Sequence, residues 1–150
     1  MADNVHWLTP GQQRIWRDWL LGIAKITDSL DADLRSHGLD LAEYEILVAL
    51  SEVPERSRRM SELATVVHQS RSRLTHAIAR LEKVGWVSRS SSPDDRRGVV
   101  AHLTDAGFAH LEQAAPSHVT AVRRVFVDAV EPADFQAIGR AMKAVLAVRD

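Results

Sequence analysis

The sequence predicts a mainly α-helical protein with one small β-hairpin, arranged as a winged helix-turn-helix flanked by long helices. Long amphipathic segments occupy both ends of the chain, and only His68 and Gln69 separate two short helices near its middle. Two valine-containing segments then flank a polar loop, as in a hairpin. We therefore divide the chain into an N-terminal helical arm (1–36), a winged helix-turn-helix (37–104) and a C-terminal helical arm (105–150).

Each end of the first two helices has its own signal. Apolar residues recur at steps of three and four over residues 9–36, which predicts a long amphipathic helix that Gly38 ends. Asp40 and Glu43 have the spacing of a capping box and open a second helix. Pro54 ends that helix, because proline disrupts a helix interior.

The next two helices are short. Ser61 is the expected N-cap of the third helix, and Ser70 opens a fourth helix that Gly85 closes. Two short helices with so brief a link are expected to cross steeply, as in a helix-turn-helix. The segments WVSRS and VVAHL predict the two strands of the hairpin, with SSPDDRRG as its tip.

The C-terminal arm is predicted to be two helices. Thr104 is the expected cap of the first of them, and Pro132 begins the last. Both arms carry more apolar surface than a single winged helix can cover, which predicts that they form a homodimer. The alternative is that these helices pack on each other within one chain.

Composition excludes several classes of protein. The 150 residues are 45% apolar and 26% charged, as in a globular domain. The apolar runs are far shorter than the roughly 20 residues that span a bilayer, and MADNVHW has no signal-peptide pattern, so we expect a cytoplasmic protein. The chain has no cysteine, which removes disulfides, thiolate chemistry and zinc sites that use sulfur.

The sequence contains no pattern that indicates an enzyme or a cofactor. It has no glycine-rich phosphate loop, GxSxG or HExxH motif. None of its seven histidines forms an i, i+4 pair, and His68 and His76 are eight residues apart, about 12 Å along a continuous helix. We therefore expect no catalytic residues, no metal site and no cofactor.

Charge is concentrated in the middle of the chain. Residues 55–104 contain ten Lys and Arg and five Asp and Glu, a net charge of +5, whereas the rest of the chain carries −6. A basic centre between acidic arms suggests a surface that binds a polyanion, and a solvated charged face is the alternative.

The fourth helix places polar side chains opposite its apolar stripe. These side chains are suited to phosphates and to the acceptor edges of bases in a major groove. The candidate DNA-binding residues of this recognition helix are Ser70, Arg71, Ser72, Arg73, Thr75, His76 and Arg80.

The segments RLEKVGWVSR and DDRRGVVAHLTDAG resemble the winged-helix core of MarR-family transcriptional regulators, and the flanking helices extend the resemblance over nearly the whole chain. The resemblance implies an interlocked homodimer on double-stranded DNA, with the recognition helix in the major groove and the wing at the minor groove. It also implies repression of transcription. The family's Asp-x-Arg wing motif falls on Asp95 and Arg97, and the carboxylate is expected to orient the guanidinium. Candidate wing contacts are Arg89, Asp95, Arg96 and Arg97.

Members of the family often bind small aromatic or phenolic effectors between the dimerisation helices and the winged helix. The resemblance therefore makes Trp16, Trp19 and Tyr44 candidate pocket residues, although aromatic residues at helical spacing are more often core.

Where the family has a small residue in the turn of the helix-turn-helix, this chain has His68. Two alternatives remain: a winged-helix module that binds an acidic protein, and a ligand or metal sensor that does not bind DNA.

Overall fold

The computed structural model describes residues 5–94 and 98–149. Within these ranges the α-helices are α1 (Pro10–Leu34), α2 (Leu41–Ser51), α3 (Met60–Val66), α4 (Arg71–Lys83), α5 (Asp105–Val122) and α6 (Pro132–Leu146). The strands are β1 (Ser57–Arg59), β2 (Val87–Ser91) and β3 (Val99–Leu103). The predicted fold class, mainly helical with a small wing, is confirmed.

The backbone forms two compact units. The helical unit contains the chain up to Ser29 and from Val122 onward, and the winged-helix unit contains Leu30–Ala121. The unit boundaries fall inside α1 and at the end of α5. The winged-helix unit is therefore longer than the segment 37–104 that we expected from the sequence.

The core of the winged-helix unit holds α4 by one face only. Side chains from the end of α1, from α2, α3 and α4, and from β2 meet there, and each fully buried aliphatic side chain contributes about 1.5–3 kcal/mol. The largest of these side chains are Leu34, Ile46, Leu47, Leu50, Leu63, Leu74, Ile78, Leu81 and Val87.

Most of the predicted helix ends are confirmed. Asp40 Oδ1 accepts a hydrogen bond from the Glu43 amide (2.7 Å), and Glu43 Oε2 accepts one from the Asp40 amide (3.1 Å), which completes the capping box. Ser70 Oγ accepts from the Arg73 amide (3.2 Å). Gly38 has a φ of +71°, a conformation that glycine adopts without strain.

The prediction that Ser61 caps the third helix is wrong. Helix α3 begins at Met60, and its N-cap is Arg59, two residues before Ser61; Arg59 makes no side-chain capping hydrogen bond. The reason is the strand before it: Arg59 pairs with Val100 of β3, so the helix begins where the strand ends.

The sheet has one strand more than the hairpin expected from the sequence. Strands β2 and β3 are antiparallel, with Val87 opposite Leu103, and β1 adds to the other edge of β3 in the order β1-β3-β2. Strand β1 has only three residues and all are partly buried, so it lacks the alternation that predicts a strand.

Candidate nucleic-acid interface

Helix α4 separates its apolar and polar residues cleanly. Leu74, Ala77, Ile78 and Leu81 are buried, and their spacing of three and four residues puts them on one side of the helix. All seven residues predicted for the recognition helix are exposed, namely Ser70, Arg71, Ser72, Arg73, Thr75, His76 and Arg80. A row of polar side chains therefore faces solvent along α4.

Two arginines in the first turn of α4 are the strongest cationic feature of this face. Among the described residues, no carboxylate oxygen lies within 4.0 Å of the guanidinium of Arg71 or Arg73. The nearby hydroxyls also have intramolecular roles, since Ser70 caps the helix and Thr75 Oγ1 donates to the Arg71 carbonyl oxygen (2.8 Å). Within the described residues, nothing engages the side-chain donors of Arg71 and Arg73, so these donors are available to bind another molecule.

Arg80 is bound differently from these two arginines. Its Nε donates to Glu43 Oε1 at 2.7 Å, and its Nη2 donates to Asp40 Oδ2 at 3.5 Å. The hydrogen bond to Glu43 is the main reason that the pKa of Arg80 is raised above its ordinary value. Arg80 is therefore engaged by the N-terminus of α2.

The predicted wing residues are only partly described. Arg89 on β2 donates through both Nε and Nη2 to one oxygen, Glu82 Oε2, at 3.1 and 2.7 Å. Asp95, Arg96 and Arg97 lie outside the described residues, so the expected support of Arg97 by Asp95 stays a prediction.

A cleft of about 310 Å³ lies between the first turns of α4 and the base of the wing. Arg59 and Arg71 contribute cationic side chains to it, and Thr75 and Gly98 also line it. Arg59 lies 3.8 Å from Asp94. Arg59 was not predicted as a site residue because β1 was not predicted, although the position of Arg59 in the basic segment was a signal.

One histidine connects all three strands at the wing base. His102 on the central strand β3 lies 2.6 Å from Ser57 Oγ through Nδ1 and 2.6 Å from Ser90 Oγ through Nε2. Ser57 belongs to β1 and Ser90 to β2. The strands are therefore bridged by side chains as well as by the backbone ladder.

The three aromatic candidates for an effector pocket do not line one cavity. Tyr44 lines a cavity of about 410 Å³ in the winged-helix unit, together with Leu41 and His118. Trp19 lines a different cavity, of about 640 Å³, in the helical unit. Trp16 is 54% exposed.

His118, which was not predicted as a site residue, packs beside Tyr44. The ring centroids are 4.2 Å apart, and His118 Nδ1 is buried without a hydrogen-bond partner among the described residues. Burial lowers the pKa of His118, an effect that the charge of Asp33 partly opposes, and burial also raises the pKa of Tyr44. A lone histidine inside a helix gives no sequence signal for such a contact.

Residues 5–94 and 98–149 contain neither a cluster of side chains suited to a metal ion nor a helix that could span a membrane. No three His, Asp or Glu side chains in these ranges are grouped so that they could hold a metal ion. None of the described helices combines the length and apolar character needed to cross a membrane.

A two-helix motif whose second helix exposes a basic face, followed by an antiparallel hairpin, defines a winged helix-turn-helix protein. Residues 37–98 match the model of the MarR family. Sco3205 of Streptomyces coelicolor, a MarR-family transcriptional regulator solved in complex with DNA, is 42% identical, with a TM-score of 0.91 over 97% of this chain and 91% of that one. The chain belongs to the MarR family of transcriptional regulators.

Two further proteins show the range of the similarity. AbsC, another MarR-family regulator of S. coelicolor, is 42% identical, with a TM-score of 0.88 over 95% of this chain and 96% of its own. The transcriptional repressor MprA of Escherichia coli is 29% identical over 93 residues, which are 62% of this chain. The match spans 53% of MprA, about half of its length.

Proposed function

We propose that this chain is a homodimeric transcriptional repressor that binds double-stranded DNA, with α4 in the major groove and the wing at the minor groove. The observation that carries the proposal is the exposed first turn of α4, where the side chains of Arg71 and Arg73 face solvent beside the buried stripe. The similarity of the chain to Sco3205, whose structure was solved in complex with DNA, supports the same assignment.

The proposed contacts divide by the part of the duplex that they touch. Arg73 lies in the first turn of α4, where a guanidinium can donate to guanine O6 and N7. Arg71 and Arg59 beside the cleft are suited to phosphates. Ser70, Ser72, Thr75 and His76 complete the α4 contacts, and Asp95, Arg96 and Arg97 form the wing set, without Arg89, which donates two hydrogen bonds to Glu82. Arg80, which two carboxylates engage, is not among the proposed contacts.

Dimerisation is supported by the helical unit. None of the fifteen residues of α6 is buried, and Leu146 is 79% exposed. Helix α1 also exposes Ile15 and Leu21, at 71% and 69%. Apolar surface of this extent is costly in water, and a second copy of the same arms would cover it. Two recognition helices would then read two half-sites about one helical turn apart.

Repression is supported by the name of one relative, the repressor MprA. A dimer bound across a promoter would exclude the polymerase by occupying the same duplex.

Regulation by a small aromatic or phenolic ligand is supported by the cavity lined by Tyr44 and His118. Its volume of about 410 Å³ falls within the size range of small-molecule sites.

Substitutions on α4 and in the wing test the DNA-binding mode. We expect Arg73→Ala to weaken binding by about 1–3 kcal/mol and to relax sequence preference, because it removes a base contact. Arg97→Ala should weaken binding with little change in sequence preference and should lower the salt slope by about one charge. Fluorescence anisotropy with a duplex selected from a random library and with a random duplex, over a range of salt, measures the affinity, the sequence preference and the salt slope.

A matched control is Arg35→Ala, which removes an exposed guanidinium outside α4 and the sheet. It should leave affinity for the selected duplex nearly unchanged. If the unsubstituted protein does not bind random duplex even at low salt, the protein is not a DNA-binding regulator, and an acidic protein partner becomes the better assignment.

The effector is tested with salicylate and with phenol. Binding beside Tyr44 should weaken DNA binding through a coupling of about 1–3 kcal/mol, and Tyr44→Ala should remove that response while DNA binding persists. Equal affinity of these compounds for free and DNA-bound protein would exclude them as regulators.

A further inference from the structure

We propose that Arg80 is a positioning residue, which holds the recognition helix α4 against the capping box of α2 and does not contact DNA. The inference rests on the proposed function, since the value of this contact is the orientation of α4 on the duplex. Four features of the described residues carry it: the hydrogen-bond pattern, the burial of Glu43, the local charge and the place of Arg80 along α4.

The hydrogen-bond pattern is complete only with Arg80 in place. Asp40 uses Oδ1 to accept from the Glu43 amide and Oδ2 to accept from Arg80. Glu43 uses Oε2 to accept from the Asp40 amide and Oε1 to accept from Arg80. Each carboxylate thus binds the backbone with one oxygen and the same guanidinium with the other, which joins the start of α2 to the last turns of α4.

The burial of Glu43 and the planar shape of the guanidinium together make this link selective for arginine. The side chain of Glu43 is 9% exposed, so its carboxylate depends on a protein donor more than an exposed one would. A guanidinium presents several N–H donors in one plane and can reach two carboxylates together, whereas a lysine ammonium is a point charge. Arg80→Lys should therefore replace only part of the contact.

Local charge disfavours a phosphate at Arg80. One guanidinium and two carboxylates give the cluster a net charge of −1, which repels a phosphate group, whereas Arg71 and Arg73 have no described carboxylate within 4.0 Å. Arg80 also lies seven residues after Arg73, about 10 Å further along the helix. Recognition helices contact bases mainly through their N-terminal residues.

A double-substitution cycle with DNA separates positioning from contact. Arg80→Ala, Glu43→Gln and the double variant are titrated with a duplex selected by the unsubstituted protein and with a random duplex, each over a range of salt. Glu43→Gln is informative because its single amide oxygen cannot serve both the Asp40 amide and Arg80. Arg71→Ala serves as the phosphate-contact control.

If Arg80 positions α4, each single variant should lower the ratio of the affinity for the selected duplex to the affinity for the random duplex, on the order of tenfold. The double variant should lower this ratio little further. The salt slope should stay unchanged in all three, whereas Arg71→Ala should lower it by about one. Arg80→Lys should recover part of the ratio. If Arg80→Ala does not fold, Arg80→Lys and Glu43→Gln must still show the reduced ratio.

Three results would each overturn the inference alone: a salt slope lowered by about one in Arg80→Ala, additive losses in the double variant, or an unchanged ratio in Glu43→Gln. If the unsubstituted protein binds no duplex, the proposed function fails and the inference fails with it.

Discussion

In the described part of the chain, three non-glycine residues have a positive φ: Glu55 at 57°, Arg56 at 50° and His68 at 51°. In this region the Cβ of an L-residue crowds the neighbouring carbonyl, which costs about 1–2 kcal/mol. His68 lies in the turn between α3 and α4, where related proteins are expected to have a small residue. The departure noted in the sequence is therefore a point of backbone strain.

Replacing this histidine should relieve the strain. We expect His68→Gly to raise the free energy of unfolding by about 0.5–1 kcal/mol, because glycine adopts a positive φ without a steric cost. The matched control, His76→Gly, places glycine inside α4 and should lower the free energy by about 0.5 kcal/mol. Urea unfolding measures both changes, and a destabilised His68→Gly would show that the imidazole has contacts that outweigh the strain.

The pKa of His118 gives a second test at the residue scale. Its folded-state pKa is lowered by burial, so below the unfolded value of about 6.5 the unfolded chain binds this proton more readily. The contribution of His118 to stability is thus fully present above that pH and is lost as pH falls through the folded pKa.

We expect the free energy of unfolding of His118→Gln to depend less on pH below about 6.5 than that of the unsubstituted protein. Thermal or urea unfolding at pH 7.5 and at pH 5 measures the difference. His76→Gln, on the exposed face of α4, retains His118 and should keep its pH dependence. An identical pH dependence in His118→Gln and the unsubstituted protein would contradict the assignment.

At the scale of elements, the start of α5 is set by a close approach to Trp86. The Trp86 carbonyl oxygen accepts from the Thr104 amide (3.1 Å), and Thr104 Oγ1 accepts from the Gly107 amide (3.0 Å). A Cβ at Gly107 would lie 2.8 Å from Leu103 Cδ1 and would collide with the Trp86 carbonyl group. Only glycine lets this first turn pack so closely.

Gly107→Ala should therefore lower the free energy of unfolding by about 1–3 kcal/mol, because the backbone of Trp86 cannot move aside without distorting the sheet. Gly11, in the first turn of α1, is the matched control. A Cβ there meets only Thr9 Oγ1 at 3.9 Å, so Gly11→Ala should be neutral or stabilising by up to about 1 kcal/mol. Equal effects of the two substitutions would contradict the packing argument.

At the scale of the whole molecule, the two units differ in how much they bury. The winged-helix unit contains the continuous core, whereas the helical unit exposes Trp16, Leu20 and Leu146 and has a cavity of about 640 Å³ lined mainly by apolar residues. A second copy of the chain would therefore cover more exposed apolar surface on the helical unit than on the winged-helix unit.

Sedimentation equilibrium at micromolar concentration should give twice the chain mass of 16.7 kDa. Ile138→Asp, which places a charge in the apolar cavity of the helical unit, should shift the mass toward the monomer. Val84→Asp is the control, because Val84 is already 55% exposed in the winged-helix unit. A monomer mass for the unsubstituted protein would contradict both the dimer and a two-fold operator.

Features that depend on neighbours three or four residues away were predictable from the sequence alone. The capping box of Asp40 and Glu43, the cap of Ser70 and the exposed face of α4 all follow from helical geometry, because the backbone itself brings these groups together. Membership of a winged-helix class followed from the order of such local elements.

Contacts between residues far apart in the sequence could be identified only from the tertiary structure. Arg80 meets Glu43 across 37 residues, and β1 pairs with β3 across 45 residues at Ser57 and His102. Tyr44 packs on His118 although no periodicity relates them. Such contacts depend on how whole helices and strands pack, and a flexible guanidinium or a three-residue strand carries too little local preference to reveal its partner in advance.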